Sequence, residues 1–329
     1  MVRADDLPVS SRGPATLIVS PLASRVRAEA TRARVVDGAR RAITARGHDD
    51  PTVIETGDPA EIAEAARTAV EGGATLVVLA GGDGTIRDAA GSLADTGVDV
   101  GLLPCGTGNL YATSVGVPRS LDDAVRMLGT GTPRAFDVGE VRLVVPPGGV
   151  STDVPEAPVQ FGVACGTGFD ADLIGATDRD MKRRYGVVAY FLAASRLLPR
   201  LTARPTVLVI DGVRTELESV VVLVANAGEA IPGLLRPRLP IEPDDGLFHV
   251  FVLPRGGIIG GIRGAMELLI GESHGTSPSG HAVRLVGREV RVEVEPAGPT
   301  QVDGDPFPAA WLDARVRPGG LRVIRAGGA

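Results

Sequence analysis

The residues most able to do chemistry stand in Gly81-Gly82-Asp83-Gly84-Thr85, between the apolar run Leu76–Ala80 and the helix-like stretch IRDAAGSLA. Three glycines let the backbone turn sharply and lie close to a ligand, with amide N–H groups aimed at phosphate oxygens at a helix N-terminus. A carboxylate beside phosphates repels them unless a divalent cation or a shared proton lies between, so Asp83 points to a metal–nucleotide site. The plain alternative is a glycine-rich strand–helix turn. A second turn of the same kind, Pro104-Cys105-Gly106-Thr107-Gly108-Asn109, follows the next apolar run, Val98–Leu103. Two such turns one crossover apart would lie side by side on one edge of a sheet. Two acidic turns, Pro243-Asp244-Asp245-Gly246 and Val302-Asp303-Gly304-Asp305, read on their residues alone as β-turns beside strands.

The elements that must position these residues alternate along the first third of the chain. Ala15–Ser20 reads as a strand stopped by Pro21, and Ser24–Arg46 as an Ala/Arg-rich helix with Ser24 as its N-cap. A short strand follows at Pro51–Glu55, and a helix at Pro59–Glu71 ends at Gly72-Gly73. The central strand and its helix come next, then Val98–Leu103 and a short helix over Ser120–Leu128. Strands alternating with helices imply a parallel, doubly wound α/β sheet, whose ligands bind outside the carboxyl ends of its strands.

From Ala135 the pattern changes to strands divided by Gly-, Pro- and Asp-rich turns: Phe136–Val145, Val159–Cys165, Thr206–Asp211, Glu216–Val224, Leu247–Leu253, Val290–Glu295 and Leu321–Ile324. This predicts a β-rich sandwich domain. Pro146–Pro158 reads as a hairpin tip or insertion. Met181–Leu201 has a basic head and an apolar body, suited to a membrane surface, to an apolar substrate or simply to packing. Gly256–Ile270 reads as a packing helix. The division expected is residues 1–133 for nucleotide and 134–329 for substrate, with a return of the last strand to the first domain left open.

Composition narrows the class. Charged residues make up 22% and hydrophobic residues 44%, as in a soluble globular protein. A net charge of −6 with 3% aromatics disfavours an extended nucleic-acid surface. Cys105 and Cys165 are the only cysteines, so neither a disulfide scaffold nor a zinc cluster is indicated. No signal-like leader and no apolar run of spanning length is present, which predicts a cytoplasmic protein. Lys182 is the only lysine, and Asn109 and Asn226 are the only asparagines.

Several familiar motifs fail. A Walker A loop needs a lysine after its glycines, and none is there. Gly271-Glu272-Ser273-His274-Gly275 matches G-x-S-x-G but follows a helical pattern instead of a strand. Gly166-Thr167-Gly168-Phe169-Asp170-Ala171 lacks the acidic residue about twenty positions on that would hold a ribose. His48, His249, His274 and His281 lack metal-ligand spacing.

The ordered set GGDGT, PCGTGN, GTGFDAD, VAN, PDDGLF and VDGD resembles the diacylglycerol kinase catalytic family, which includes YegS-like lipid kinases and the sphingosine and ceramide kinases. The resemblance covers nearly the whole chain. It implies an N-terminal NAD-kinase-like α/β domain, a C-terminal β-sandwich and a cleft between them, with ATP and Mg²⁺ as cofactors. Gly81, Gly82, Asp83, Gly84 and Thr85 match the family's ATP loop. Ser20, Pro21, Leu22, Ala23 and Ser24 stand at its first nucleotide turn, Thr56 at a nucleotide-contacting threonine, and Thr107 and Asn109 in its second glycine turn. The resemblance makes Glu242, Asp245 and the Leu247 carbonyl the metal ligands and Asp305 the general base, with Asp83 organising phosphates or metal. Asp305 stands where the family has Glu, Leu110 where many members have Asp, Ile231-Pro232-Gly233 where three glycines are usual, and Ser20 where Asn is usual.

The implied activity is ATP-dependent phosphorylation of a hydroxyl on a diacylglycerol- or sphingoid-like lipid, with transient peripheral membrane contact and a homodimer left open. Two alternatives stand beside it. An NAD kinase shares GGDGT, although neither asparagine here precedes the glutamate expected of that family. A non-catalytic lipid- or nucleotide-binding relative would tolerate the departures at Leu110, Asp305 and Ile231.

Overall fold

Short β-branched runs that are buried on both faces alternate with Ala-rich segments that are apolar on one face, and this alternation builds the first part of the chain. The structure, a computed structural model, describes residues 12–148, 154–168, 203–227, 241–254, 275–276, 283–308 and 310–326. The expected segments Met181–Leu201 and Gly256–Ile270 lie outside these residues, as do Asp170, Ile231, Ser273, His274 and His281. The chain divides into two compact units, one ending at Phe136 and resuming at Gly319, the other spanning Asp137–Pro318.

In the first unit, β1 (Ala15–Val19), β2 (Thr52–Glu55), β3 (Leu76–Gly81) and β4 (Asp99–Pro104) form a parallel sheet in the order β2-β1-β3-β4. Every residue of β1 and β3 is buried, which is why their sequences are continuously apolar instead of alternating. The last part of β16 (Trp311–Arg325) lies parallel to β4, with Arg322 opposite Asp99. Five helices follow: α1 (Glu29–Ala45), α2 (Pro59–Glu71), α3 (Asp83–Leu93), α4 (Leu110–Ser114) and α5 (Leu121–Thr130). The chain moves from β1 to β2 in one direction, then from β2 past β1 to β3 and on to β4 in the other. Right-handed crossovers therefore place α1 on one face of the sheet and α2 and α3 on the opposite one. The packing agrees, since α2 packs on α3 and α1 on α5.

Local signals explain most helix ends. Asp58 accepts the Ala60 and Glu61 amides ahead of Pro59, and Ser120 accepts the Asp123 amide at the start of α5. Ser24 does not cap α1, which begins five residues later with Ala28 as an N-cap lacking any side-chain bond. Residues 20–28 form turns instead, because Ser24 and Arg25 are held by the loop after β4.

The second unit is a β-sandwich whose inner faces carry the apolar residues. The long strand β9 (Val213–Ala225) pairs its first half with β8 (Arg204–Ile210). Its second half lies between β7 (Ala164–Thr167) and β10 (Phe248–Pro254). β8 continues through β13 (Glu289–Val294) to the first part of β16, and β5 (Thr132–Val144) joins β16 to β6 (Val159–Phe161). Beyond β10 lies β12 (Val283–Gly287), with β11 (Gly275–Thr276) at its side. The rings of Phe161 and Phe248 stack at 5.4 Å within this core, among Val222, Val250, Val292 and Leu312. Gly139 is glycine because a Cβ there would lie 2.2 Å from the Phe161 ring.

His48 gives the first unit a pH dependence. Its imidazole is buried and donates Nδ1–H to the Gly13 carbonyl at 3.2 Å. Burial, reinforced by the guanidinium groups of Arg46 and Arg12, pushes its pKa below the ordinary value against the Gly13 carbonyl and Asp99. A histidine depressed in the fold contributes stability that is present above its unfolded pKa, about 6.5, and is lost as pH falls through the folded value. Urea midpoints measured from pH 7.5 down to 5 are expected to fall less steeply for His48→Gln than for the parent. Parallel profiles would contradict this assignment.

Candidate functional site

The connection leaving β1 runs towards β2 and the one leaving β3 runs towards β4, so the two adjacent strands diverge at their carboxyl ends. Such a switch point opens a crevice where open α/β sheets take their ligands. Ser20–Ser24 leave β1 at this edge and Gly81–Thr85 leave β3, with Thr56 after β2 and Pro104–Asn109 after β4. The topology thus brings together the residues singled out in the first unit.

Close backbone contact defines the two glycine turns. A Cβ on Gly106 would lie 2.6 Å from the Gly82 Cα, and one on Gly82 would lie 3.2 Å from the Gly106 Cα. The Gly81 carbonyl accepts the amides of both Cys105 at 2.8 Å and Gly106 at 3.2 Å. Ser20 joins the same edge by donating its amide to Ala80. The turn after β1 is tied in by the Arg25 amide on the Cys105 carbonyl at 2.9 Å, and by the Arg25 guanidinium on the Pro104 and Arg119 carbonyls. Thr107 Oγ1 donates to Ser24 Oγ at 3.2 Å, which puts two hydroxyls on this rim.

The Asp83 carboxylate is turned towards the second glycine turn. It accepts the Tyr111 amide at 3.1 Å, together with the amides of Leu110 and Asn109, and so caps α4 from across the gap between the turns. Burial raises its pKa, while these amides pull it down. Asn109 is also turned inward. It sits at φ 52°, accepts the Gly106 amide at 2.9 Å and donates to the Gly106 carbonyl at 2.7 Å, bracing its own turn. Thr56 is buried, donating to Glu61 and accepting the Asp58 amide. Leu22 is exposed over Gly57, and Pro21 and Ala23 shape its turn, with the Ala23 amide on the Ser20 carbonyl.

What remains open at this edge is backbone. The N-cap of α3, Gly82, has no side chain, and the Asp83 carboxylate takes up its own amide, so the Gly84 and Thr85 amides of the first turn and the positive end of the dipole lie at the crevice. A Cβ on Gly84 would meet nothing nearer than Arg87 Nη2 at 3.9 Å. That open face leaves room for a ligand group beside the Gly84 backbone.

In the second unit the acidic turns are joined by hydrogen bonds that are part-buried at Asp303 and buried at Asn226 and Asp137. Asp303 and Gly304, at φ 49° and 85°, form the two-residue turn of a hairpin between β14 (Thr300–Val302) and β15 (Asp305–Phe307). Positive φ at both positions is what a tight hairpin demands, and an Asp-Gly pair supplies it. The Asp303 carboxylate then accepts the amides of Gly162, Val163 and Ala164 at 2.8, 2.9 and 3.0 Å. This interrupts what reads in sequence as one strand, splitting it into β6 and β7.

Asn226 donates its amide to Val163 and its Nδ2 to the Gly162 and Asp137 carbonyls. Asp137 binds the PDDG turn twice, its amide on the Pro243 carbonyl and its Oδ2 receiving the Gly246 amide, both at 2.7 Å. Asp305 is exposed on the hairpin arm.

Of the expected metal ligands, Glu242 is exposed, and Leu247 donates its amide to Asp245 Oδ1 at 2.9 Å. Asp245 Oδ2 lies 3.2 Å from His249 Nε2. Among the described residues no group of three or more His, Cys, Asp and Glu side chains is arranged to hold a metal ion. Asp245 still fits one, because each oxygen carries one of these hydrogen bonds and retains a second lone pair.

Asp137 and Asp303 were not singled out by sequence reasoning. Their signals were an Asp inside the apolar run AFDVG and an Asp-Gly pair between two strands. Asp303→Asn keeps the left-handed turn but turns an NH₂ towards a backbone amide, and is expected to cost about 1–3 kcal/mol. Asp305→Asn, on an exposed arm, is expected to stay within about 0.5 kcal/mol of the parent. Chemical denaturation of the two variants side by side checks the contrast.

Comparison with known proteins agrees with this architecture. Residues 14–141 match the diacylglycerol kinase catalytic domain, and residues 163–325 match the YegS C-terminal NAD kinase beta sandwich-like domain. A probable lipid kinase YegS-like from Pseudomonas aeruginosa PAO1 is 31% identical over 82% of each chain. A diacylglycerol kinase from Mycobacterium tuberculosis H37Rv is 29% identical over 61% of this chain and 60% of its own. An uncharacterized Synechocystis protein is 23% identical over 77% of this chain, which spans 55% of that protein's length. The fold is shared with the crystal structure of a putative diacylglycerol kinase from Bacillus anthracis, at a TM-score of 0.72 and 19% identity over 95% of this chain and 96% of that one. With both halves matched in order and a relative above 30% identity over most of its length, the chain belongs to the diacylglycerol kinase catalytic-domain family that includes the YegS-like lipid kinases.

Proposed function

We propose that the protein transfers the γ-phosphate of ATP to a hydroxyl of a diacylglycerol- or sphingoid-like lipid. The observation that carries this reading is the N-terminus of α3 at the switch point, where the Gly84 and Thr85 amides lie beside open space and Ser24 and Thr107 form a rim, in a chain of this family. Backbone amides and the helix dipole would hold the nucleotide phosphates without a Walker lysine. Asp83 and Asn109 would act one step back, keeping the second turn closed on the first. Mg²⁺ would be held by Glu242, Asp245 and the Leu247 carbonyl, and when bound it would neutralise charge developing on the phosphates.

Asp305 would take the proton of the lipid hydroxyl as it attacks. Its exposed position on the hairpin suits a group that must meet a substrate, and Asp303 keeps that hairpin in place. Apolar walls of the second unit would hold the acyl chains. Among the described residues no helix is long and apolar enough to cross a membrane. Contact with the bilayer would therefore be local and transient at the cytoplasmic face, since a net charge of −6 gives no general attraction to anionic lipid.

Transfer of labelled γ-phosphate in mixed micelles to diacylglycerol, a sphingoid base and NAD, with and without Mg²⁺, tests the reading. A labelled lipid that requires Mg²⁺ is expected, with Asp305→Asn lowering turnover by about 10²-fold or more. Labelled NADP in place of lipid, or full turnover by Asp305→Asn, would contradict it.

A further inference from the structure

The carboxylate of Asp245 is held by more than its own turn. His249 stands four residues on, in β10 between β9 and β12, and is buried. Its Nε2 lies 3.2 Å from Asp245 Oδ2. On the other side of the ring, Arg284 of β12 brings Nη2 to 2.6 Å and Nε to 3.2 Å from Nδ1. A guanidinium only donates, so Nδ1 must be the unprotonated acceptor and Nε2 must carry the hydrogen that reaches Asp245. Arg284 is itself seated, opposite Phe251 in the ladder and 5.7 Å above that ring.

Both carboxylate oxygens of Asp245 are therefore oriented, Oδ1 by the Leu247 amide and Oδ2 by the imidazole N–H. His249 lies on the face of β10 opposite the core residues Phe248, Val250 and Val252, and of the Arg–His–carboxylate chain only His249 itself is buried, so the packing of the sandwich core does not account for it. An imidazole whose tautomer is set from behind is the arrangement by which residues around metal sites orient their ligands.

We infer that Arg284 and His249 are positioning residues for Asp245, Arg284 holding His249 as the Nε2–H tautomer and His249 presenting the carboxylate to a divalent cation. The inference rests on the proposed reading of Asp245 as a metal ligand. It assigns two residues to that site that lie 4 and 39 positions further along the chain, on strands instead of in the acidic turn.

Two measurements test it. Long-range proton–nitrogen NMR of the full-length protein is expected to show the His249 ring with Nε2 protonated and Nδ1 bare. A ring protonated at Nδ1 would overturn the assignment whatever the variants do. Mn²⁺ titration, followed by water relaxation without any turnover, is then compared across variants. His249→Phe is expected to weaken Mn²⁺ binding by about tenfold or more, as loss of an orienting partner commonly does. His249→Gln, whose side-chain amide can still donate towards Asp245, is expected to bind close to the parent.

Parent-like binding by His249→Phe, with Asp245→Asn impaired, would overturn the positioning role while leaving the metal reading intact. Parent-like binding by Asp245→Asn would instead remove the metal reading, and the inference with it.

Discussion

Two backbones, at Gly82 and Gly106, approach so closely that neither position has room for one more carbon without displacing the other. The site of the first unit depends on this contact. It lets the Gly81 carbonyl receive two amides from the second turn, and it brings Asp83 within reach of the amides that open α4. The Asp83 carboxylate covers its own amide together with those that open α4, which leaves the Gly84 and Thr85 amides at the start of α3 facing the crevice.

The second unit solves a similar problem with side chains instead of glycines. Its acidic turns are far apart in sequence and would drift independently if only strands carried them. Asp303, Asn226 and Asp137 each bind backbone from a different segment, so the VDGD hairpin, the start of β7, the end of β9 and the PDDG turn are linked by one run of hydrogen bonds. Polar groups buried as Asn226 and Asp137 are cost free energy unless they are satisfied, and the backbone groups met here, carbonyls at Asn226 Nδ2 and amides at the two carboxylates, also need partners, while Asn226 Oδ1 has none among the described residues. Asp305 and Glu242, by contrast, are exposed.

How much of this was legible in the sequence varied with the physics involved. The strands β1 and β3 and the helix α2 were legible because burial on both faces and a Pro-led, Asp-capped start leave plain marks. The glycine turns were visible too, since few other residues tolerate such close approach. The direction of a side chain left no such mark: that Asp83 and Asn109 hold backbone could not be read from their types.

Short elements were also missed. The three-residue strands β14 and β15 and the five-residue α4 are too brief for periodicity to register. The start of α1 was misplaced because Ser24, a good cap by type, is held by Thr107 from a loop more than eighty residues away. Asp137 and Asp303 looked like ordinary strand and turn residues until their long-range partners were known.

The proposed seating of the nucleotide phosphates on the open face at Gly84 is tested most directly by ATP affinity, measured by calorimetry on Gly84→Ala. The substitution has room in the fold and places a better helix former in the first turn of α3, so thermal stability should hold or rise slightly. The account predicts that the added methyl keeps phosphate away from the amides and weakens ATP binding by about tenfold or more, a loss of at least about 1.4 kcal/mol. ATP affinity equal to that of the parent, with stability unchanged, would mean that the phosphates do not sit there.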